Sequence, residues 1–294
     1  MGLVINNNAM ALNASNNLAT NYGRLQTSTQ RLSSGLRINS AADDAAGLAI
    51  RELMRADVAS LKQGVRNAND AISLIQTADG ALGVIDEKLI RMKELAEQAA
   101  TGTYDSTQRL MIESEYQAMA SEITRIANAT DFNGIHLLNG NLSSDTHDGS
   151  KLSATGKLKI HFGTGNDCME DYYYVQIGNS TASALGVGSG TKGAGSSIST
   201  QSAAQAALDA INNAIISKDK IRANLGAMQN RLENTISNLT IQAENLQAAE
   251  SRISDVDVAT EMTQFVRNQI LTQSAVAMLS QANSVPRLAL QLMG

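Results

Sequence analysis

The sequence predicts a protein dominated by α-helices, in which two long helices pack antiparallel as a coiled-coil-like rod and a small insert contains a β-hairpin. Apolar residues recur every seven positions in two separate stretches of the chain. The 294 residues include one Pro, three Phe, six Tyr and no Trp. Helix–helix packing can use Ala, Leu, Ile and Met alone, and a chain with one proline has few forced interruptions to long helices.

The first heptad stretch lies in the N-terminal half of the chain. Its residues predict one helix from about residue 42 to about residue 100, which at 1.5 Å per residue would be roughly 85 Å long. A second apolar row accompanies the strict one and consists of Val58, Val65 and Ile72. The strict seven-residue row consists of Leu61, Ala68, Ile75, Leu82 and Leu89.

The second heptad row lies in the C-terminal half and consists of Leu225, Leu232, Leu239, Leu246 and Ile253. A seven-residue stripe stays on one side of a helix only if that helix winds about a partner. Antiparallel packing of the two stretches would bury both stripes inside one molecule. A homodimeric coiled coil is the alternative on periodicity alone, but the symmetric layout about the centre of the chain favours the folded-back arrangement.

The middle of the chain, residues 141–200, has a different composition, rich in Gly, Ser and Thr. Its segments "KLKIHFG" and "DYYYVQIG" show short alternations that predict two strands joined by a turn that contains Gly. The segment "GVGSGTKGAGSS" predicts a flexible connection that leads back into helix at about residue 200. This region is therefore a small insert between the two seams.

Both ends of the chain show amphipathic helical spacing, which predicts further helices before and after the two seams. The N-terminal row is Leu18, Tyr22, Leu25, Thr29, Leu32 and Leu36. The C-terminal row is Met262, Phe265, Val266, Ile270 and Leu279.

Several functional classes are disfavoured by composition. The net charge is −5 and no run is rich in Lys or Arg, which argues against nucleic acid as a partner. No apolar run approaches the roughly 20 residues that span a bilayer, and the N-terminus lacks a Sec-type signal pattern, so no membrane insertion is expected. The three histidines are scattered and no phosphate-binding glycine pattern occurs, so we expect no catalysis, metal or cofactor. Cys168 is the single cysteine.

Four segments carry a resemblance to a known family: "LSSGLRINSAADDAAGLAI", "GVRNANDAISLIQTADGAL", "NRLENTISNL" and "AESRISDVDVATEM". They closely resemble flagellin, the subunit of the bacterial flagellar filament, over about 140 residues at the start of the chain and 95 at its end. The resemblance implies a non-enzymatic structural subunit that polymerises with itself for motility. Larger flagellins carry extra outer domains, so the short middle region implies a minimal subunit.

The resemblance also implies a role for each segment. Residues 1–44 and 253–294 would be assembly segments that are disordered in the free subunit and fold into an inner tube when subunits join. Residues 45–140 and 201–252 would form the helical rod, and 141–200 a variable surface region. The Asn-rich start has low helix propensity, and an unpartnered terminal helix is marginal in water. The candidate assembly and chaperone-binding residues are Leu18, Leu25, Leu32, Phe265, Ile270 and Leu279.

The partners that the resemblance implies are those of an exported subunit. They are the flagellar type III export apparatus, a flagellin-specific chaperone that wraps the C-terminal segment, and the filament cap and hook-junction proteins, with the product secreted into an extracellular filament. A hook–filament junction protein is an alternative within this class, and a soluble coiled-coil adaptor is one outside it.

A further implied partner is the host innate immune receptor Toll-like receptor 5. The segments "LIRMKELAEQAATGT" and "IESEYQAM" resemble those that this receptor recognises in many flagellins, and the match places Arg91, Leu95 and Glu115 at the contact. Arg91 and Leu95 are four apart and so share one helical face. The alternatives are a weak surface ion pair between Arg91 and Glu115, or a face that packs against neighbouring subunits.

Overall fold

The computed structural model describes residues 8–143, 156–168, 170–189 and 193–293. Part of the predicted insert, residues 144–155, 169 and 190–192, and the first seven residues of the predicted assembly segment therefore lie outside the described residues. The described residues form six helices: α1 (Ala9–Ser34), α2 (Ala45–Ala100), α3 (Ser106–Ala129), α4 (Ala182–Leu185), α5 (Gln201–Ser254) and α6 (Val258–Met293). They also form four short strands: β1 (Asp131–Phe132), β2 (Ile135–His136), β3 (Leu158–His161) and β4 (Tyr172–Val175).

The chain divides into two compact units. We call residues 1–58 with 244–294 the terminal unit, and residues 59–243 the central unit. The predicted all-α-dominated fold is confirmed, since α2 covers nearly all of the helix predicted from residue 42 to residue 100, and α5 begins where helix was predicted to resume.

Ion pairs between α2 and α5 establish their antiparallel direction in the central unit. Lys218 contacts Asp86 at 2.5 Å and Arg222 contacts Asp79 at 2.7 Å, so residue numbers fall along α5 as they rise along α2. In the terminal unit the Arg55 guanidinium of α2 lies 3.9 Å from the Glu250 carboxylate of α5. The two heptad stripes therefore meet within one chain, as predicted.

The core of the central unit is formed by the predicted seam. Its two rows are nearly fully buried along most of their length: Leu61, Ala68, Ile75, Leu82 and Leu89 on α2, and Leu225, Leu232 and Leu239 on α5. Four residues of the predicted rows are only half-buried: Val65, Ile72, Leu246 and Ile253. Leu246 and Ile253 lie in the terminal unit, where Ile38 and Val58 are the only large apolar side chains that are buried among the described residues. The seam thus loses its apolar core there.

Helix α3 adds a second layer to the central unit. One face of α3 is buried, formed by Tyr116, Ala120, Ile123 and Ala127. The Tyr116 hydroxyl donates a hydrogen bond of 2.8 Å to the Gly195 carbonyl, and Gln117 donates one of 2.7 Å to the Ser196 carbonyl. These bonds hold the segment before α5 against α3.

The two hairpins lie after α3. Strands β1 and β2 pair antiparallel across Asn133 and Gly134, which both have positive φ, as a type I′ hairpin turn requires. Strands β3 and β4 form the hairpin that the sequence predicted, with His161 opposite Tyr172 and Leu158 opposite Val175. The β3–β4 hairpin docks on α2 through Asn67, whose side-chain amide donates a hydrogen bond of 2.8 Å to the His161 carbonyl.

In the terminal unit α1 packs antiparallel against α6. The Asn8 side chain donates a hydrogen bond of 2.8 Å to the Ala282 carbonyl at one end, and the Arg31 guanidinium lies 3.7 Å from Glu261 at the other. Helix α1 ends at Gly35, which has φ of 73° and a left-handed conformation that glycine adopts without strain.

Candidate assembly surface

The two end helices, α1 and α6, form one extended surface, which we call the terminal helix pair. The turns beside them fix their position. The Arg37 amide donates to the Ser254 carbonyl at 2.6 Å, and the Val256 amide donates to the Gly35 carbonyl at 3.0 Å. These two bonds join the turn after α1 to the turn before α6, so the two helices begin their pairing at the same level.

Aspartates order both turns. Asp43 accepts from the Ser40 and Asn39 amides, which lower the pKa of its carboxyl. Asp257 caps α6, since its carboxylate accepts from the Thr260 hydroxyl and from the Thr260 and Ala259 amides, and the pKa of Asp257 is lowered for that reason, the Thr260 hydroxyl contributing most. A carboxylate at a helix N-terminus is also favoured by the helix dipole.

The inner face of the terminal helix pair is only partly apolar. Five of the six predicted assembly residues are half-buried there: Leu18, Leu25, Leu32, Phe265 and Leu279. Ser28, Glu261 and Asn268 are buried beside them. The Nε atom of Arg31 is buried without a hydrogen-bond partner. Burial of polar groups, one of them unsatisfied, offsets part of the stabilisation from the leucines, so the contact between α1 and α6 is weak for its length.

The outer face of the pair is strongly apolar. Ile270, the sixth predicted assembly residue, is exposed rather than half-buried. Among the residues whose burial is described, the exposed large apolar residues of α6 are Val258, Met262, Val266, Ile270, Leu271, Val276 and Met278, and those of α1 are Met10, Leu12 and Tyr22.

The expectation that α6 is amphipathic is therefore wrong. At 100° per residue, Met262, Ile270 and Leu271 point to different sides of α6, so apolar side chains surround this helix. Helix α1 packs against one side and leaves the others uncovered. A helix that is apolar all round is normally buried all round.

Two further exposed apolar residues of the terminal unit, Ile50 and Leu53, lie near the start of α2. Heptad spacing does not indicate them, because they lie outside the heptad rows.

The distribution of cations separates the two units. Every lysine of the chain lies within residues 59–243, and arginine is the one basic residue type in the sequence of the terminal unit. Arginine is more weakly hydrated than lysine, and protein interfaces are enriched in Arg and depleted in Lys. The composition of the terminal unit is thus that of a surface that becomes covered.

The predicted receptor residues lie in the central unit. Arg91 and Glu115 are at the surface, and the guanidinium of Arg91 contacts the Glu115 carboxylate at 2.8 Å and that of Glu94 at 2.9 Å. The hydrogen bonds that Arg91 donates to these carboxylates, above all to Glu115, raise the pKa of Arg91. Leu95 is only 2% exposed, so the expectation that it shares a surface with Arg91 is wrong. The i,i+4 spacing places both residues on one side of α2, but Leu95 is buried in the core while Arg91 reaches Glu115 of α3 at the surface.

Lys218, which the sequence analysis missed, lies inside the seam with 1% of its surface exposed. Its ammonium group contacts Asp86 at 2.5 Å and Asp219 at 2.8 Å. The signal was available, since Lys218 follows Ile211 by seven residues and precedes Leu225 by seven, and so continues the heptad row.

Within the described residues, His, Cys, Asp and Glu side chains form no group of three or more that could bind a metal ion. None of the helices there combines the length and apolar character needed to cross a membrane.

Comparisons with known proteins agree across nearly the whole chain. The family model of the bacterial flagellin N-terminal helical region matches residues 5–143, and that of the C-terminal helical region matches residues 208–293. A flagellin of Halalkalibacterium halodurans is 44% identical over 99% of this chain and 100% of its own length. The flagellar filament 33 kDa core protein of Treponema phagedenis is 40% identical over the same shares, and a flagellin of Bacillus subtilis is 42% identical over 98% of this chain and 99% of its own.

Proposed function

This chain belongs to the bacterial flagellin family and is a structural subunit of the flagellar filament rather than an enzyme, and we propose that its subunits polymerise through the terminal helix pair. In this proposal residues 1–44 and 253–294 are the assembly segments that form the inner tube. Residues 45–140 and 201–252 are the helical rod, and residues 141–200 are the variable outer region.

The observation that carries the proposal is the outer face of α6. Its exposed apolar residues occur on several sides of the helix, and α1 covers one side only. Burying such a surface against other subunits is favourable by about 25 cal/mol for each Å² removed from water. The absence of lysine from the sequence of the terminal unit supports the same assignment.

We further propose that the terminal helix pair folds as subunits join. Its inner face buries Glu261 and Asn268 and leaves one nitrogen of Arg31 unsatisfied, so the pair gains little from pairing alone. Ordering the two segments costs conformational entropy, about 1–2 kcal/mol per residue for the backbone. Contacts with neighbouring subunits supply the missing stabilisation, which couples folding to assembly.

The test uses two charge substitutions with opposite expected effects. Leu239→Asp places a charge in the buried seam, which costs several kcal/mol and lowers the melting temperature of the monomer. Leu279→Asp lies in the assembly segment and leaves that melting temperature unchanged, but prevents elongation of filament seeds. Asn238→Asp, at an exposed position beside Leu239, adds the same charge without burial and should change neither property.

Melting is followed by circular dichroism, and elongation by sedimentation and electron microscopy. Removal of residues 1–44 or 253–294 should likewise leave a folded monomer that does not polymerise. Filaments of normal diameter from Leu279→Asp, or from either truncated chain, would refute the proposal.

Export is proposed to follow the flagellar type III pathway to an extracellular filament, with a flagellin-specific chaperone bound to the C-terminal segment. The exposed apolar residues of α6 suit helix-in-groove binding, in which a partner takes up successive apolar side chains. A chain truncated at Asp255 should not bind the chaperone. Equal affinity of the full and truncated chains, measured by calorimetry, would place the chaperone site elsewhere. Cap and hook-junction proteins are proposed to meet the same assembly segments at the filament ends.

Recognition by Toll-like receptor 5 is proposed at Arg91 and Glu115, with Leu95 supporting this surface from the core. Both charged side chains are about half exposed, so a receptor can reach them. Arg91→Ala and Glu115→Ala in the monomer should each weaken binding by more than about 1 kcal/mol, as hot-spot truncation does. Leu95→Ala cannot serve as a contact test, because it opens a cavity in the core. Unchanged binding of both charge variants, with unchanged monomer melting, would exclude this site.

A further inference from the structure

Among the methionines whose exposure is described, most of those with strongly exposed side chains lie on the terminal helix pair. Met10 is 62% exposed on α1, and Met262 and Met278 are 44% and 63% exposed on α6. In the central unit Met92 is fully buried, whereas Met111 on α3 is 69% exposed. Methionine has a flexible, polarisable side chain that fills irregular gaps between packed surfaces. Three such side chains on the assembly surface are therefore placed to adapt to neighbouring subunits.

The positions of these three methionines mean that subunits packed on either side of the pair would cover at least one of them. Met262 and Met278 are separated by 16 residues, which puts them about 160° apart around α6. A neighbour that covers one side of the helix covers one of these sulfurs, and a neighbour on the other side covers the second. Met10 lies on the partner helix α1, so the set spans the whole pair.

We propose that Met10, Met262 and Met278 are sites at which peroxide-class oxidants modify the free subunit and block its polymerisation. This inference rests on the assembly surface proposed above. In the reaction the thioether sulfur attacks one oxygen of hydrogen peroxide and the O–O bond breaks. The sulfur is oxidised to a sulfoxide, peroxide is reduced, and the second oxygen leaves with both protons as water.

The physical effect follows from the change in polarity. A sulfoxide oxygen is a strong hydrogen-bond acceptor, and burying it without a donor is unfavourable. The free subunit tolerates the modification, because these side chains face water. The assembled subunit does not tolerate it, because its neighbours are apolar there. Polymerised subunits, whose three sulfurs are covered, react slowly.

The experiment uses the full chain with Cys168→Ser, so that the exposed thiol does not react. Monomer is treated with hydrogen peroxide, which is then removed, and the protein is added to filament seeds. The matched variant carries Met10→Leu, Met262→Leu and Met278→Leu, which nearly conserve volume. Met111→Leu is the control for an exposed methionine outside the pair. Peptide mass spectrometry identifies the oxidised positions.

Treated parent protein and treated Met111→Leu should both fail to elongate seeds, with a critical concentration raised at least about tenfold. The treated triple variant should elongate as before. Methionine sulfoxide reductases with a dithiol should restore elongation of the parent, since the dithiol is oxidised to a disulfide as the oxygen leaves as water.

Two results would overturn the inference: equal loss of elongation in the treated triple variant, or normal elongation of parent protein oxidised at all three positions. If the triple variant does not elongate even before treatment, the proposal is tested instead by the rates of sulfoxide formation in the parent protein. Met262 and Met278 should be oxidised much faster in the monomer than in filaments, and equal rates would contradict the proposal. Failure of the untreated parent to elongate would instead refute the assembly function.

Discussion

Gly64→Ala is expected to dislodge the β3–β4 hairpin from α2, although alanine is the better helix former. A Cβ atom at Gly64 would lie 2.0 Å from the carbonyl oxygen of Phe162 and 2.7 Å from its carbonyl carbon. Both are backbone atoms, so no side-chain rotation relieves the contact. The end of β3 must therefore move away from α2.

The magnitude follows from what that movement disrupts. The hydrogen bond from Asn67 to the His161 carbonyl contributes about 1 kcal/mol, and Phe162 is buried, so its partial exposure costs about 2 kcal/mol. Replacing glycine within a helix returns about 1 kcal/mol. The net expectation is a loss of about 2 kcal/mol.

Gly80→Ala is the matched control on the same helix. A Cβ atom at Gly80 would have no atom within 4 Å, and the position is exposed. This variant should be stabilised by about 0.5–1 kcal/mol.

The assay combines urea unfolding with hydrogen exchange of the β3 and β4 amides measured by mass spectrometry. Gly64→Ala should lower the unfolding midpoint and speed exchange in the hairpin, while Gly80→Ala raises the midpoint and leaves that exchange unchanged. A Gly64→Ala protein as stable as Gly80→Ala, with full protection of the hairpin, would refute the docking geometry.

Two further predictions concern charged groups. Asp86→Asn leaves the buried Lys218 with one exposed partner, Asp219, and should destabilise the chain by about 2 kcal/mol. Asp79→Asn breaks a half-exposed pair with Arg222 and should destabilise it by less than about 1 kcal/mol. Equal urea unfolding midpoints for the two variants would contradict this expectation. The pKa of the Asp257 carboxyl is lowered in the folded chain. The ionised carboxylate therefore stabilises α6 at pH values above the pKa of the unfolded state, and this stabilisation is lost as the pH falls through the pKa of the folded state. The stability difference between wild type and Asp257→Ala, followed by circular dichroism in assembled filaments, should therefore shrink below about pH 4, and a constant difference would be inconsistent with this reasoning.

The long helices could be predicted because periodicity directly encodes which side of a helix is buried. Leu61, Leu82, Leu225 and Leu232 repeat every seven residues and lie in the core. The β3–β4 hairpin could be predicted for a similar reason, since alternation encodes the two faces of a strand. The docking position of this hairpin on α2 could not be predicted. The contact depends on Gly64, and a residue without a side chain gives no sequence pattern that indicates which segment packs against it.

Which residues are buried at the contact between α2 and the second layer also could not be predicted from the sequence. The i,i+4 rule places Arg91 and Leu95 on one side of α2, but whether a residue there faces water depends on the rest of the fold. Leu95 is 2% exposed, whereas Arg91 contacts Glu115 of α3 at the surface. Spacing along one helix cannot distinguish a surface neighbour from a core neighbour.

Under the proposed assembly, the terminal helices differ from the seam because their main partners lie outside the chain. Within one subunit the contact between α1 and α6 buries the polar side chains of Ser28, Glu261 and Asn268, while Ile270 and Leu271 remain exposed. This is the reverse of the arrangement that stabilises an isolated helix pair. The same arrangement favours assembly, because a pair that gains little by itself does not compete with contacts to neighbouring subunits. In the proposed assembly, the weak inner face and the apolar outer face together make the folded state of the ends depend on polymerisation.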